Sequence, residues 1–123
     1  VDSAEVYEAV GGSDYFRELV EAFYVGIVAD PVLRAMYPED LSDSKTHLAN
    51  FLIQYFGGPP TYLETRGHPR MRMRHAPFQI DKAAIESWLA SMRAALVSSK
   101  APYEAIEEMD AYFSFAAKAL QNS

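Results

Sequence analysis

Apolar residues along this chain recur at helical spacing, and glycine, proline and capping residues interrupt the pattern where helices should end. The first segment, Asp2 to Val10, opens with Asp2 and Glu5 at capping-box spacing and stops at Gly11-Gly12, a pair suited to left-handed backbone. From a Ser13 cap to about Ala29, the residues Phe16, Leu19, Val20, Phe23 and Ile27 form one apolar stripe, with Tyr24 beside it. Asp30-Pro31 caps a brief helix to about Met36, and Pro38 breaks it. A further helix starts at Asp43 or Ser44, places Leu48, Phe51, Leu52 and Tyr55 on one face, and ends at Gly57-Gly58-Pro59-Pro60.

Periodicity weakens from Thr61 to Ile80, where only single turns are expected, one at Thr61–Glu64 and one over Arg72–Ala76. A connection this long in a compact domain usually carries function. Two clean amphipathic helices follow. One starts near Asp81 and turns Ile85, Trp88, Leu89, Met92 and Leu96 inward; the other starts near Pro102 and turns Ile106, Met109, Phe113, Ala117 and Leu120 inward. With no strand alternation and no repeat, the pattern predicts an all-α fold with four substantial helices, forming a single domain over residues 1–123.

Composition narrows what such a domain can do. Half of the 123 residues are apolar and aromatic residues are plentiful, so a packed core is expected. No apolar run reaches the roughly 20 residues of a membrane helix and no signal segment leads the chain, so a cytoplasmic protein without a membrane partner is expected. With no cysteine, a metal must be held by His, carboxylate, Tyr or Met, and the only histidines are His47, His68 and His75. A net charge of −6 opposes binding to nucleic acid, although Arg66, Arg70, Arg72 and Arg74 make one local basic stretch. A homo-oligomer stays open, because periodicity does not locate exposed apolar patches.

The basic stretch also holds His68 and His75. A solvated loop explains it on composition alone. The functional alternative is an anion site with His75 available to a metal. One histidine suffices for haem iron, since the porphyrin brings four nitrogens of its own. Met71, Phe78 and Ile80 could cover a planar ligand, and arginines could pair with its propionates. Trp88, Tyr24 and Tyr37, read singly, are equally at home as packing residues. His68, between Gly67 and Pro69, suggests a turn-stabilising hydrogen bond.

Taken in order, Gly11-Gly12, Phe23-Tyr24, Tyr37-Pro38-Glu39-Asp40, Gln54-Tyr55-Phe56-Gly57-Gly58-Pro59, Arg66-Gly67-His68-Pro69, Arg74-His75-Ala76-Pro77-Phe78 and Trp88 resemble the group II truncated haemoglobins over essentially the whole chain. The resemblance implies a two-over-two helical sandwich around haem b, with His75 as proximal ligand and Tyr24, Tyr37 and Trp88 as distal donors to O2. Leu48, Phe51, Met71 and Phe78 would line the haem, and Tyr62, Arg72 and His47 would meet its propionates. Ser44, one turn before Leu48, falls at the usual distal entrance, with His47 the other candidate there if the register slips.

O2 or another diatomic gas would be the ligand. Nitric oxide dioxygenation and peroxide handling are the redox activities the resemblance suggests. Either needs electrons, and the chain has no glycine-rich nucleotide motif, so a separate reductase is expected as partner. A globin-derived regulatory or gas-sensing module without turnover is the alternative.

Overall fold

The computed structural model describes all residues, Val1–Ser123, and every regular element in it is helical. A 3-10 turn, Ser3–Glu5, runs into α1 (Val6–Ala9), followed by α2 (Ser13–Ala29), α3 (Pro31–Arg34), α4 (Ser42–Tyr55), α5 (Thr61–Arg66), α6 (Met71–His75), α7 (Lys82–Ser98) and α8 (Tyr103–Ala119). No helix is long and apolar enough to cross a membrane.

Local chemistry sets three of the helix starts. The Asp30 carboxylate accepts hydrogen bonds from the Val32 and Leu33 amides at 3.0 and 3.2 Å, and Pro31 takes the first helical position of α3. Asp81 caps α7 by accepting from Ala84 N at 2.8 Å. At the chain start the Glu5 carboxylate reaches back to the Asp2 amide at 2.9 Å. The expected Ser13 cap does not form: Ser13 is the first residue of α2, and its hydroxyl pairs with the Tyr7 hydroxyl at 3.0 Å. Helix α4 starts at Ser42, earlier than the apolar pattern suggests, because Asp40 turns the chain by accepting from the Ser42 amide at 2.9 Å.

Helix α2 is the hub, packing on α4 along one side and on α7 along another, while α7 packs on α8. The pairs α2/α4 and α7/α8 therefore form two layers of two helices. Between them lies a core of Phe16, Leu19, Phe23, Ile27, Leu52, Leu89, Met92 and Leu96, all buried. Stacked and edge-on rings of Phe16, Phe56, Tyr112 and Phe113 close the end where α4 and α8 meet. An Arg93 guanidinium bridges α7 to α8 through Asp110 and Ser114, each at 2.8 Å.

Two glycines permit close approaches that no side chain would allow. A Cβ on Gly57, whose φ is +104°, would collide with the Ala4 carbonyl, so this residue both turns the chain after α4 and lets the N-terminal turn cross it. A Cβ on Gly26 would lie 2.5 Å from Ser91 Oγ and 2.9 Å from Ser91 Cβ, which makes Gly26 the contact point of α2 with α7. Rotating the serine hydroxyl relieves only the first clash, so the helix axes must part. Gly26→Ala is therefore expected to destabilise the protein by about 1–3 kcal/mol through overpacking, outweighing a helix-propensity gain of about 1 kcal/mol. Urea unfolding checks this; an unchanged or raised midpoint would show that α2 and α7 can separate freely.

Candidate functional site

The two layers do not close on each other everywhere. A cavity of about 550 Å³ opens between them, lined mostly by apolar side chains, within the size range of cofactor sites. Helix α4 supplies Ser44, His47, Leu48 and Phe51; α5 supplies Tyr62 and Arg66; α6 supplies Met71, Arg74 and His75; α7 and α8 close the remaining sides with Ile85, Trp88 and Phe113.

One part of the lining is a cluster of polar aromatic groups. The Tyr24 and Tyr37 rings meet edge to face at 5.5 Å, and Phe23 packs on Tyr24 at 5.2 Å and on Trp88 at 4.9 Å. Tyr24 is buried and Tyr37 and Trp88 are half-buried. Burial pushes the Tyr24 phenol far above its ordinary value; the neighbouring Tyr37 pushes the same way, and the Ser44 hydroxyl opposes it. Burial also raises Tyr37, partly offset by the Trp88 indole and the Tyr24 hydroxyl. Both phenols thus keep their protons through the neutral range and remain O–H donors beside an N–H donor.

The chain segment that carries Tyr37 is held by a residue the sequence did not single out. Arg34 donates to the backbone carbonyls of Tyr37, Pro38 and Glu39 at 3.3, 2.9 and 2.8 Å, wrapping the turn around its guanidinium. Three successive carbonyls gathered by one fork fix where the tyrosine leaves the backbone.

His75 is not part of the aromatic cluster. Its Nδ1 pairs with the Met71 carbonyl at 2.7 Å, one turn back on α6. That carbonyl can only accept, so Nδ1 carries the proton and Nε2 keeps a free lone pair, the arrangement of a metal-ready imidazole. No group of three or more His, Asp or Glu side chains converges anywhere in the protein. A metal held by His75 therefore needs its other donors from the ligand that brings it, which suits a metalloporphyrin in an apolar slot and argues against a bare ion.

Helix α6 itself is launched by Arg70, whose backbone is left-handed at φ 48°, and Arg74 Nε braces the turn through the Pro69 carbonyl at 2.8 Å. His68 makes no hydrogen bond, so the expected turn-stabilising role falls to Arg74 instead. The strand of chain after His75 is latched by Asn122: its amide donates to Ile80 O at 2.9 Å, its Oδ1 accepts from Ile80 N at 2.8 Å, and its Nδ2 donates to Phe78 O at 2.9 Å.

Of the residues expected around a haem, Tyr24, Tyr37, Trp88, His75, Leu48, Phe51, Met71, Phe78, Tyr62 and His47 all line this one cavity. Arg72 does not. It lies in a separate hollow with Pro77, Gln79 and Asn122, because α6 turns alternate arginines to different sides; Arg66 and Arg74 take the place at the cavity. Arg66 also sits over the Tyr62 ring at 5.8 Å, and Tyr62 meets Phe51 edge to face at 5.6 Å. Ser44 and His47, three residues apart on one helix face, both line the cavity, so the question of which faces it has the answer that each does. They serve different parts of it. Ser44 stands by Tyr24, whereas His47 is held below its ordinary value by burial and by Arg66 and Arg74, with Asp43 opposing, which puts it in the basic corner.

The model of the bacterial-like globin family matches residues 5–122. The chain belongs to that family, among the group II truncated haemoglobins. It is 40% identical over 90 residues to the group 2 truncated haemoglobin YjbI of Bacillus subtilis, a match spanning 73% of this chain and 67% of that protein. Two solved structures superpose closely. The haemoglobin of the thermophilic phototrophic bacterium Chloroflexus aurantiacus is 49% identical with a TM-score of 0.94, covering 96% of this chain and 98% of that one. A truncated oxygen-avid haemoglobin from Bacillus subtilis is 34% identical with a TM-score of 0.90, covering 95% and 98%. Membership brings with it the expectation of haem and gas binding, and the cavity has the size and the apolar walls for haem, with His75 presenting a free Nε2 to it.

The raised tyrosines also make a prediction for alkaline solution. Tyr24, Tyr37 and Tyr112 all have folded values above the unfolded value of about 10, Tyr112 being pushed up to about 12 chiefly by burial. The stability they contribute as buried neutral phenols is complete below pH 10 and is lost as pH rises through the window above it, where unfolded chains ionise first. Phenolate absorbance followed alongside helical circular dichroism should show part of the signal of the eight tyrosines, that of these three, appearing only as helix is lost; ionisation of all eight in a fully helical protein would contradict the burial described.

Proposed function

We propose that this truncated haemoglobin holds haem b in the cavity through His75, binds O2 reversibly with slow release, and supports haem redox chemistry, nitric oxide dioxygenation or peroxide handling, with electrons from a separate reductase. The observation that carries this reading is the convergence on one apolar cavity of a histidine with a free Nε2 and three hydrogen-bond donors, Tyr24, Tyr37 and Trp88.

When bound, haem would supply a redox-active iron able to bind a histidine and a diatomic gas. His75 offers Nε2 to that iron, and its Nδ1–H bond to the Met71 carbonyl fixes the tautomer and raises the basicity of the donating nitrogen. Tyr24, Tyr37 and Trp88 donate toward a ligand that draws negative charge, and with pKa values raised by burial the phenols stay donors rather than becoming repelling phenolates. Leu48, Phe51, Met71 and Phe78 line the cavity and would cover the macrocycle and exclude water. Arg66, Arg74 and His47, with Tyr62, face its carboxylates from the basic corner. Ser44 leaves the distal side little obstructed and adds a hydroxyl beside Tyr24.

Each distal hydrogen bond is worth about 0.5–1.5 kcal/mol net, so losing one should speed gas release about two- to tenfold. Trp88→Phe is therefore expected to raise the O2 dissociation rate in stopped-flow by that factor. Tyr24→Phe and Tyr37→Phe should combine non-additively, because their hydroxyls share one network. His75→Ala should abolish the normal ferrous spectrum and weaken haem retention. Purified wild-type protein that takes up no haem, or a His75→Ala protein with an unchanged ferrous spectrum, would overturn the reading.

A further inference from the structure

The charge on this protein is unevenly placed. Residues 61–80 carry four arginines and a single carboxylate, Glu64, for a formal +3, while the remainder of the chain carries −9. The four ion pairs in the structure, Arg17–Asp14, Lys45–Glu21, Lys82–Glu86 and Arg93–Asp110, all lie outside this stretch. None of its arginines is neutralised by a carboxylate within the protein. Arg66 and Arg74 line the cavity and have the haem carboxylates as their natural counter-charges. Arg70 and Arg72 are exposed, lie off the cavity, and make no side-chain hydrogen bond or ion pair at all.

Apolar groups of the same stretch are exposed as well, and Phe78 shares a hollow with Arg72. Leu63 is 43%, Met73 60% and Phe78 39% exposed. Arginine, methionine and aromatic side chains with no lysine are the composition that recurs at protein interfaces, where Arg and Met are enriched and Lys and Glu depleted. Phe78 belongs to both worlds, since it lines the cavity and is exposed at the surface. The hollow in which Arg72 lies has no other charged side chain.

We propose that Arg70 and Arg72, around exposed Met73 and Phe78, form the docking surface for an acidic electron-donor protein. The inference rests on the haem redox reading above and adds where its reductase binds. Elsewhere the chain is strongly acidic, so an acidic partner is repelled from the other faces and drawn to this one. In the docked complex one electron leaves the donor's reduced flavin or iron–sulfur group, oxidising it by one electron, and reduces ferric iron to ferrous, over the short path that Phe78 and α6 provide between surface and cavity. Electrostatic steering of this kind raises association rates by about 10- to 1,000-fold and fades as salt rises.

The test uses haem-loaded protein and reduced flavodoxin, an acidic flavoprotein, as probe, with two readouts: complex formation by titration, and iron reduction by stopped-flow. At low salt both should be readily measured, and both should weaken about tenfold or more on raising salt to a few hundred millimolar. Arg70→Glu with Arg72→Glu should produce a similar loss at low salt and flatten the salt dependence, while the absorbance spectrum, haem retention and O2 dissociation rate stay those of wild type. Rates and affinity indifferent to the double charge reversal, in a protein that dithionite still reduces, would overturn the surface and leave the haem reading intact. A salt-sensitive complex lost in the double variant, with iron that stays ferric, would support the surface and count against the redox reading. Tight binding of a short DNA duplex or of phosphatidylglycerol vesicles that the same variant abolishes, with flavodoxin unaffected, would assign the surface to a different polyanion and overturn the proposal.

Discussion

An apolar cavity of about 550 Å³ inside a chain of 123 residues is the constraint to which the rest of the structure answers. Judged by the roughly 24 cal/mol per Å³ that voids cost in mutated cores, a dry space of that size would cost on the order of 10 kcal/mol. That equals the net stability of a whole domain. Such a space is kept only by walls braced elsewhere and filled by a ligand that suits them. Bracing falls to α2, which grips α7 at the Gly26–Ser91 contact and α4 along its other side, and to the ring stack that pins α4 to α8 at one end. The layers can then gape at the other end without coming apart.

That geometry divides the chemistry into regions that do not interfere. Of the donors, Tyr24 and Trp88 pack on Phe23, Trp88 also on Phe113 and Tyr37 on Tyr24, and burial keeps the two phenols neutral. His75 sits on a five-residue helix, braced by its own backbone bond, by the Arg74–Pro69 contact and by the Asn122 latch. The basic corner of Arg66, Arg74 and His47 is separate again. A ligand that is planar, apolar in its body, acidic at one edge and metal-bearing at its centre satisfies all three at once. Arg34 has a supporting part comparable to that of Asn122, since it shapes the turn from which Tyr37 reaches the cavity.

Much of this was legible in the sequence because it depends on neighbours close along the chain. Asp30-Pro31 and Asp81 cap helices through bonds spanning two or three residues, and the stripes of α2, α7 and α8 follow from helical period alone. The likeness of the motifs around Tyr24, Tyr37, His75 and Trp88 to one family picked out residues far apart in sequence, and the fold gathers all four at one cavity. What tertiary structure alone decided turns on direction and distant partners. Ser13 looks like a cap but is claimed by the Tyr7 hydroxyl, and Asp40 starts α4 earlier than its apolar face implies. Among four similar arginines, composition does not say which face the cavity; the left-handed turn at Arg70 sets the screw of α6, sending Arg74 inward and Arg72 out. Ser44 and His47 share the cavity because one helix face presents both, and Asn122 reaches Ile80 because α8 returns the chain there. Caps and periods are energies of a few adjacent residues, whereas the aim of a long side chain depends on the packing of every helix around it.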